Sequence, residues 1–106
     1  MVYIREAHAI DSAAPITGGT APFVEDPMHL LERKSVAKAC MRAIELEALD
    51  TLVDDVTDEV AQAYSAWPDR LFIINRAGKE AYQGLPGPWG FDPDELEKAI
   101  LLEVGL

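Results

Sequence analysis

The sequence has little of several things that define common functional classes. Its 106 residues include one cysteine and two histidines. A single thiol, Cys40, cannot form an internal disulfide or a paired-cysteine zinc site, which fits a reducing cytoplasm. No apolar run approaches the roughly 20 residues that cross a bilayer, and Met1 leads into a short apolar stretch unlike a signal peptide. We therefore expect a cytoplasmic protein without a membrane span.

Positive charge is also scarce. Lys and Arg number 9 against 19 Asp and Glu, and the formal net charge is −10. Such a field repels phosphate backbones, so nucleic acid is not an expected partner. Hydrophobic residues make up 49% and charged residues 26%, a balance typical of a globular protein. The length predicts a single small domain, residues 1–106, with one modest core.

The hydrophobic pattern predicts alternating strands and helices in the first part of the chain. The β-branched and aromatic run Val2–Ile4 predicts a strand, and the Gly- and Pro-containing stretch Ala9–Glu25 predicts a long loop. Asp26 before Pro27 is typical of a helix start, and apolar residues at helical spacing predict a helix over Pro27–Leu46, with Arg33 on the polar side. Thr51–Val53 is a short candidate strand.

The remaining part of the chain predicts a helix, a hairpin and a closing helix. Thr57 is a candidate cap for a helix that ends by Pro68, with Val60, Ala63, Tyr64 and Trp67 on its buried face. Arg70–Ile74, the turn Asn75–Gly78 and Lys79–Gln83 predict a β-hairpin. Asp92 and Pro93 begin a terminal helix that turns Leu96, Ile100 and Val104 to the core.

Four short motifs add to this order of elements. They are Val2–His8, Leu52–Asp55, Ala63–Ile74, and Tyr82–Gly84 with Gly87-Pro88. In these motifs the chain, from about Val2 to Ile100, resembles the iodothyronine deiodinase family and its bacterial relatives. The Tyr-Ile-x-Glu-Ala-His stretch is the most specific, because folding does not demand a charged run that closes on histidine.

The resemblance implies an incomplete α/β fold. It is a thioredoxin-like, peroxiredoxin-type three-layer sandwich that lacks its N-terminal central strand and active-site helix. In the family that strand ends in selenocysteine or cysteine, so the redox nucleophile is missing here and this chain alone is expected to be inactive. The complete enzyme would need no bound cofactor, only an external thiol reductant and a small-molecule substrate.

The chemistry implied is selenol- or thiol-dependent reductive dehalogenation, or peroxide or disulfide reduction, which needs an acid or base beside the nucleophile. The resemblance gives proton handling to His8, Glu6 and Asp69, and substrate binding to Trp67 and to Pro68, the counterpart of a cis proline. From the residues alone, purely structural alternatives stay open for three of these residues. They are a solvated loop histidine for His8, an ordinary helix stop for Pro68 and a charge at a strand edge for Asp69.

The remaining cysteine and histidine have weaker support for a functional role. Cys40 is expected to be buried and unreactive near Val36 and Ile44, and His29 to be a surface residue of the first helical turn. The histidine and cysteine spacing matches no zinc motif, so no metal is expected. Leu85-Pro86 stands where eukaryotic deiodinases carry a basic residue, which favours a bacterial-type relative with another substrate.

Competing hypotheses concern the missing segment. A selenocysteine codon misread as a stop would move the assigned start to Met1, and an in-frame UGA or cysteine codon upstream would support this. The alternative is a non-catalytic binding or dimerisation module that pairs through the vacated sheet position. A third alternative is that the isolated chain does not reach a stable fold.

Overall fold

A computed structural model describes residues 1–16 and 24–106 of the chain. The architecture is mixed α/β, which confirms the predicted class and order of elements. These elements are β1 (Val2–Tyr3), α1 (Leu30–Ala43), β2 (Leu52–Val53), α2 (Glu59–Ala63), β3 (Phe72–Ile74), β4 (Glu80–Gln83) and α3 (Pro93–Glu103). The chain divides into two compact units, Met1–Tyr64 and Ser65–Leu106, and each is described by itself. Of the predicted Ala9–Glu25 loop, residues 17–23 lie outside the described part.

The first unit contains a parallel pair of short strands. Val2 of β1 lies opposite Leu52 of β2, and Tyr3 lies opposite Val53. The amide of Leu52 donates to Met1 O at 2.9 Å, and the amide of Asp54 donates to Tyr3 O at 2.8 Å. Strand β1 therefore ends one residue before the predicted Ile4, and the Glu6–His8 motif follows it as irregular chain.

Helix α1 is shorter at both ends than predicted. Asp26 was expected to cap it, but Asp26 Oδ2 lies 3.4 Å from Arg5 Nε and the helix begins at Leu30. The N-cap is His29, an exposed residue whose side chain makes no capping bond to any described residue. The helix ends at Ala43, and Glu45 has a left-handed φ of 58°. The predicted Pro27–Leu46 bounds were wrong at the start, where Asp26 contacts Arg5 instead of capping the helix, and at the end, where Glu45 adopts a left-handed backbone.

A buried arginine holds the first unit together. Arg33 is 2% exposed and shares the inner side of α1 with Ala37 and Met41, so its prediction as a surface charge was wrong. Its Nη1 donates to Asp54 O at 3.2 Å, to Asp55 O at 2.7 Å and to the Asp58 carboxylate at 3.0 Å. All three acceptors share the two N–H groups of Nη1, whereas the buried Nε makes no hydrogen bond to a described residue.

Helix α2 is a single turn whose first amides are capped by a side chain that precedes the helix. The predicted cap was Thr57, but the Asp54 carboxylate accepts from the amides of Val60, at 3.0 Å, and Ala61, at 2.9 Å. Ser65, with a left-handed φ of 48°, follows the helix end. The helix therefore stops five residues before Pro68.

The predicted buried face of α2 was also wrong. Ala61 is the buried residue of the helix, whereas Tyr64 is 40% and Trp67 is 53% exposed. Ala63 is exposed and Val60 is half-buried. The shortened helix explains the difference, because Tyr64 and Trp67 lie outside the helical spacing on which that prediction depended.

The second unit begins with the predicted hairpin. Strands β3 and β4 pair antiparallel, with Phe72 opposite Gln83 and an irregularity in the register between Ile73 and Ile74. Asn75 O accepts from the amide of Gly78 at 2.9 Å, and Gly78 has a φ of 74°. Glycine populates this left-handed region without a steric penalty, so the sequence and the turn agree.

Helix α3 begins as predicted. Asp92 Oδ1 accepts from the amide of Glu95 at 3.1 Å, and Pro93 occupies the first turn. Its predicted core residues are only partly covered, since Ile100 is 43% and Val104 is 62% exposed. Both line an open groove with Ile73 and Ile74. A two-stranded hairpin offers a helix only a narrow apolar face, which explains the exposure.

In the described part of the chain, every helix is too short and too polar to reach across a lipid bilayer.

Candidate active site

The segment after β1 places a carboxyl beside the only thiol of the chain. Cys40 Sγ lies 3.9 Å from Glu6 Oε1 and 3.9 Å from the hydroxyl of Tyr3. Tyr3 is supplied by β1, Glu6 by the irregular chain behind it, and Cys40 by the last part of α1. All three side chains are half-buried.

The surroundings of Glu6 favour its protonated form. Burial is the first cause that raises its pKa above the ordinary 4.5, and the neighbouring Asp26 carboxylate is the second. The contact with Cys40 and the positive charges of His8 and Arg33 oppose this rise without cancelling it. A carboxyl with a raised pKa keeps its proton closer to neutral pH, which suits a group that donates a proton.

The thiol of Cys40 is poorly suited to attack. Burial raises its pKa above the ordinary 9.0, and the charge and the hydrogen bond of Glu6 raise it further. The thiolate, not the thiol, is the reactive form of cysteine. Cys40 is half-buried rather than fully buried, but the expectation that it is unreactive agrees with its surroundings.

His8 lies at the surface next to this cluster. Its Nδ1 is 2.7 Å from Ala14 O, so that nitrogen bears the proton and the ring is tied to the following loop. The ring is close enough to Glu6 to oppose the rise of its pKa. The predicted pair Glu6 and His8 is therefore found in one neighbourhood, although β1 ends before either residue.

In the second unit, the predicted residues Trp67, Pro68 and Asp69 lie on the irregular chain before β3. The Trp67–Pro68 peptide bond is cis, as predicted, and so is Gly87–Pro88. Trp67 is exposed and Pro68 is half-buried.

Asp69 sits against the glycine-rich loop that follows β4. Its backbone O accepts from the amide of Gly87 at 2.8 Å. Its Oδ1 is buried and makes no hydrogen bond to any described residue. Buried carboxylate oxygens usually have a partner, so its absence here needs an explanation. Asp26 Oδ1 and Arg33 Nε are likewise buried without a partner among the described residues.

Arg70, the residue after Asp69, also binds this loop. Its Nε donates to Gly84 O at 2.6 Å, and its guanidinium lies 5.0 Å from the centre of the Phe72 ring. The amide of Gly84 in turn donates to Leu71 O at 2.9 Å. Residues 69–71 and 84–87 thus continue the hairpin beyond its regular strands.

The arrangement can move protons but offers no activated nucleophile among the described residues. Glu6 and His8 form one acid–base neighbourhood, and Asp69 is a second carboxyl held partly out of water. No group of three metal-ligating side chains is found within residues 1–16 and 24–106. The sequence alone did not reveal the roles of Tyr3, Cys40 and Gly87 in these contacts. The available signals were the Val2–His8 motif, which contains Tyr3, and the Gly87-Pro88 motif.

The fold and these contacts define an α/β protein with acid–base side chains and a single protonated thiol. Comparison with known proteins is more specific, because the model of the iodothyronine deiodinase family matches residues 1–103. The chain belongs to the iodothyronine deiodinase family.

Three relatives give the scale of this similarity. The chain is 32% identical over 96 residues to the type I iodothyronine deiodinase of Xenopus laevis, covering 91% of this chain and 36% of the frog protein. It is 32% identical to the thyroxine 5-deiodinase of Ovis aries, covering 91% and 31%, and 31% identical to that of Sparus aurata, covering 91% and 34%. The chain spans about a third of the length of these eukaryotic relatives. That the chain is a bacterial-type member of the family stays a prediction.

Proposed function

We propose that this chain contributes the acid–base part of a deiodinase-like oxidoreductase domain whose selenol or thiol nucleophile is supplied by a segment outside it. The family match over residues 1–103 carries this proposal, because it includes both Glu6–His8 and Trp67–Asp69. The raised pKa of Cys40 adds support, since the one thiol present is a poor nucleophile.

The proposed domain comprises residues 1–106. We infer a thioredoxin-like, peroxiredoxin-type three-layer sandwich that lacks its central strand and active-site helix. The order of elements supports this fold.

In the complete enzyme the chemistry would be a reductive dehalogenation. The chalcogenolate takes the iodine of a carbon–iodine bond, and the carbon receives a proton from Glu6, His8 or Asp69. Two equivalents of an external thiol then release iodide, restore the chalcogenolate and leave as a disulfide. The balance is R–I plus two thiols giving R–H, HI and one disulfide, with no bound cofactor. Peroxide or disulfide reduction would use the same groups.

The test is an extended protein. The DNA upstream of Met1 should contain an in-frame UGA or cysteine codon after a strand-like run, and the translated extension should be expressed with cysteine at that position. With a dithiol reductant we expect iodide release from an iodothyronine or another iodoarene, at least tenfold lower in Glu6→Gln and unchanged in Glu47→Gln, an exposed control. Unrelated upstream sequence, or no reductase activity of the extended protein, would contradict the proposal.

A second candidate is a non-catalytic binding or dimerisation module. It is favoured by exposed apolar side chains on the β1–β2 pair, where Val2 is 40% and Leu52 is 72% exposed. Sedimentation of the chain would show a dimer that Leu52→Lys dissociates, whereas a monomer at high concentration would exclude homodimerisation. Cytoplasmic location and the lack of a nucleic-acid partner stay predictions.

A further inference from the structure

Gly87 faces the carboxyl group of Asp69 at very short range. A Cβ atom built on Gly87 would lie 2.5 Å from both Asp69 Cγ and Oδ2, and closer still to Oδ1. Real Cβ atoms essentially never approach other atoms within 3.0 Å. The space that any other residue would use at position 87 is therefore occupied by the Asp69 carboxyl.

The φ angle gives no separate reason for glycine at this position. Among the described glycines, a positive φ is found at Gly78 and Gly105, and Gly87 does not share it. An alanine could adopt the backbone conformation of Gly87 without the penalty that attends the left-handed region. Its amide donates to Asp69 O at 2.8 Å, which fixes the two backbones side by side.

The neighbouring glycines are close to different groups. A Cβ on Gly90 would collide with the backbone of Leu85, and one on Gly84 would lie 3.1 Å from Leu71 O and 3.3 Å from the hydroxyl of Tyr82. Only at Gly87, of these three loop positions, is the obstacle a carboxyl side chain. This carboxyl also contains the buried Oδ1 that makes no hydrogen bond to a described residue.

We propose that Gly87 is a positioning residue for Asp69: its missing side chain leaves the slot that holds this carboxyl against the loop, with Oδ1 shielded from water. The catalytic meaning of that slot rests on the proposed function, in which Asp69 handles a proton. Because Oδ1 has no hydrogen-bond partner among the described residues, it stays available as an acceptor for a donor that arrives with the substrate. Any side chain at position 87 would expel the carboxyl from the slot.

A thermal double-mutant cycle tests this without requiring activity. Gly87→Ala should lower the Tm by about 2–5 °C, since the Asp69 carboxyl must rotate out of the slot to make room for the new Cβ atom. In an Asp69→Ala background the same change should move the Tm by less than about 1 °C, because the colliding carboxyl is gone. Gly90→Ala, the matched control, should cost the same in both backgrounds, since it meets the Leu85 backbone.

Equal losses from Gly87→Ala in the two backgrounds would overturn the proposal. If Gly87→Ala alone does not fold, a folded double variant with Asp69→Ala supports it, and an unfolded double variant contradicts it. A second readout is the carboxyl carbon resonance of Asp69, which should shift in Gly87→Ser but not in Lys79→Ser, a control in the exposed hairpin turn. Neither the Tm cycle nor the Asp69 resonance depends on catalysis, so both keep their expected results even if the proposed function is wrong. Failure of the positioning role of Gly87 can therefore be distinguished from failure of the proposed function.

Discussion

The two units of the molecule are held together in different ways. In Met1–Tyr64, the buried side chain of Arg33 binds a segment 21 and 22 residues away, and the buried carboxylate of Asp54 caps the helix that follows it. In Ser65–Leu106, the main contacts are the backbone bonds of a hairpin and of the chain next to it, and a helix capped by its own first residues. The first unit therefore depends on a few side chains, and loss of one should be felt throughout it. The second should lose stability in smaller, local steps.

The largest expected effect is at Arg33. Arg33→Met removes the donors to Asp54 O, Asp55 O and the Asp58 carboxylate. Breaking a buried ionic contact on one side costs about 3–5 kcal/mol, a large part of the stability of a small domain. Hydrogen exchange should show lost protection across residues 1–64. Lys34→Met, on the exposed side of the same helix, is the control, and equal effects of the two would contradict the comparison.

A smaller effect is expected at Asp54. Asp54→Ala leaves the amides of Val60 and Ala61 without their acceptors, and loss of such a cap costs about 1–2 kcal/mol. Urea denaturation should report the cost, and exchange at these two amides should accelerate most. Asp55→Ala, which loses only an exposed bond to the next amide, should cost less. Equal destabilisation of Asp54→Ala and Asp55→Ala would contradict the capping role of Asp54.

The hairpin turn gives the corresponding test in the second unit. Gly78 has a φ of 74° and no described atom within 4 Å of an added Cβ, so Gly78→Ala costs only the left-handed backbone penalty of about 1 kcal/mol. Exchange should accelerate in β3 and β4. Gly105→Ala, at a similar φ of 81° near the chain end, should cost less because the terminus is less ordered. A global loss of protection would contradict the local character of this unit.

The smallest effect concerns the charge of Glu6 and depends on pH. Because the folded state raises its pKa, folding favours the protonated form, and the stability gained at low pH is lost as pH rises from about 4.5 through the folded value. Glu6→Gln should match the wild type in acid and exceed its stability near neutral pH by under about 1 kcal/mol, since half of the side chain meets solvent. Denaturation curves at several pH values, with Glu47→Gln as the control, measure this. If Glu6→Gln were less stable than the wild type at neutral pH, the predicted sign of this pH dependence would be wrong.

Sequence reasoning succeeded where the determinants are local. The Asn75–Gly78 turn and the Asp92-Pro93 cap each depend on neighbouring residues, and both were predicted. It failed at Arg33, because an amphipathic pattern assumes that a charge faces water, and at Asp54, whose cap acts on amides six and seven residues away. The contact of Glu6 with Cys40 joins residues 34 apart. No periodicity reveals such a contact, and the motifs supplied only the candidates.

The most direct test of the account is whether Cys40 behaves as a nucleophile. We expect its alkylation by iodoacetamide, followed by mass spectrometry from pH 6 to 10, to be slow at neutral pH, to increase with the thiolate fraction, and to be still increasing at the ordinary thiol pKa of 9.0, because the pKa of Cys40 lies above that value. Glu6→Gln should accelerate the reaction by roughly threefold, because it removes a nearby negative charge, while the amide oxygen of glutamine can still accept from the thiol. Rapid alkylation at pH 7 that Glu6→Gln does not change would contradict the account, because this chain would then contain its own activated nucleophile.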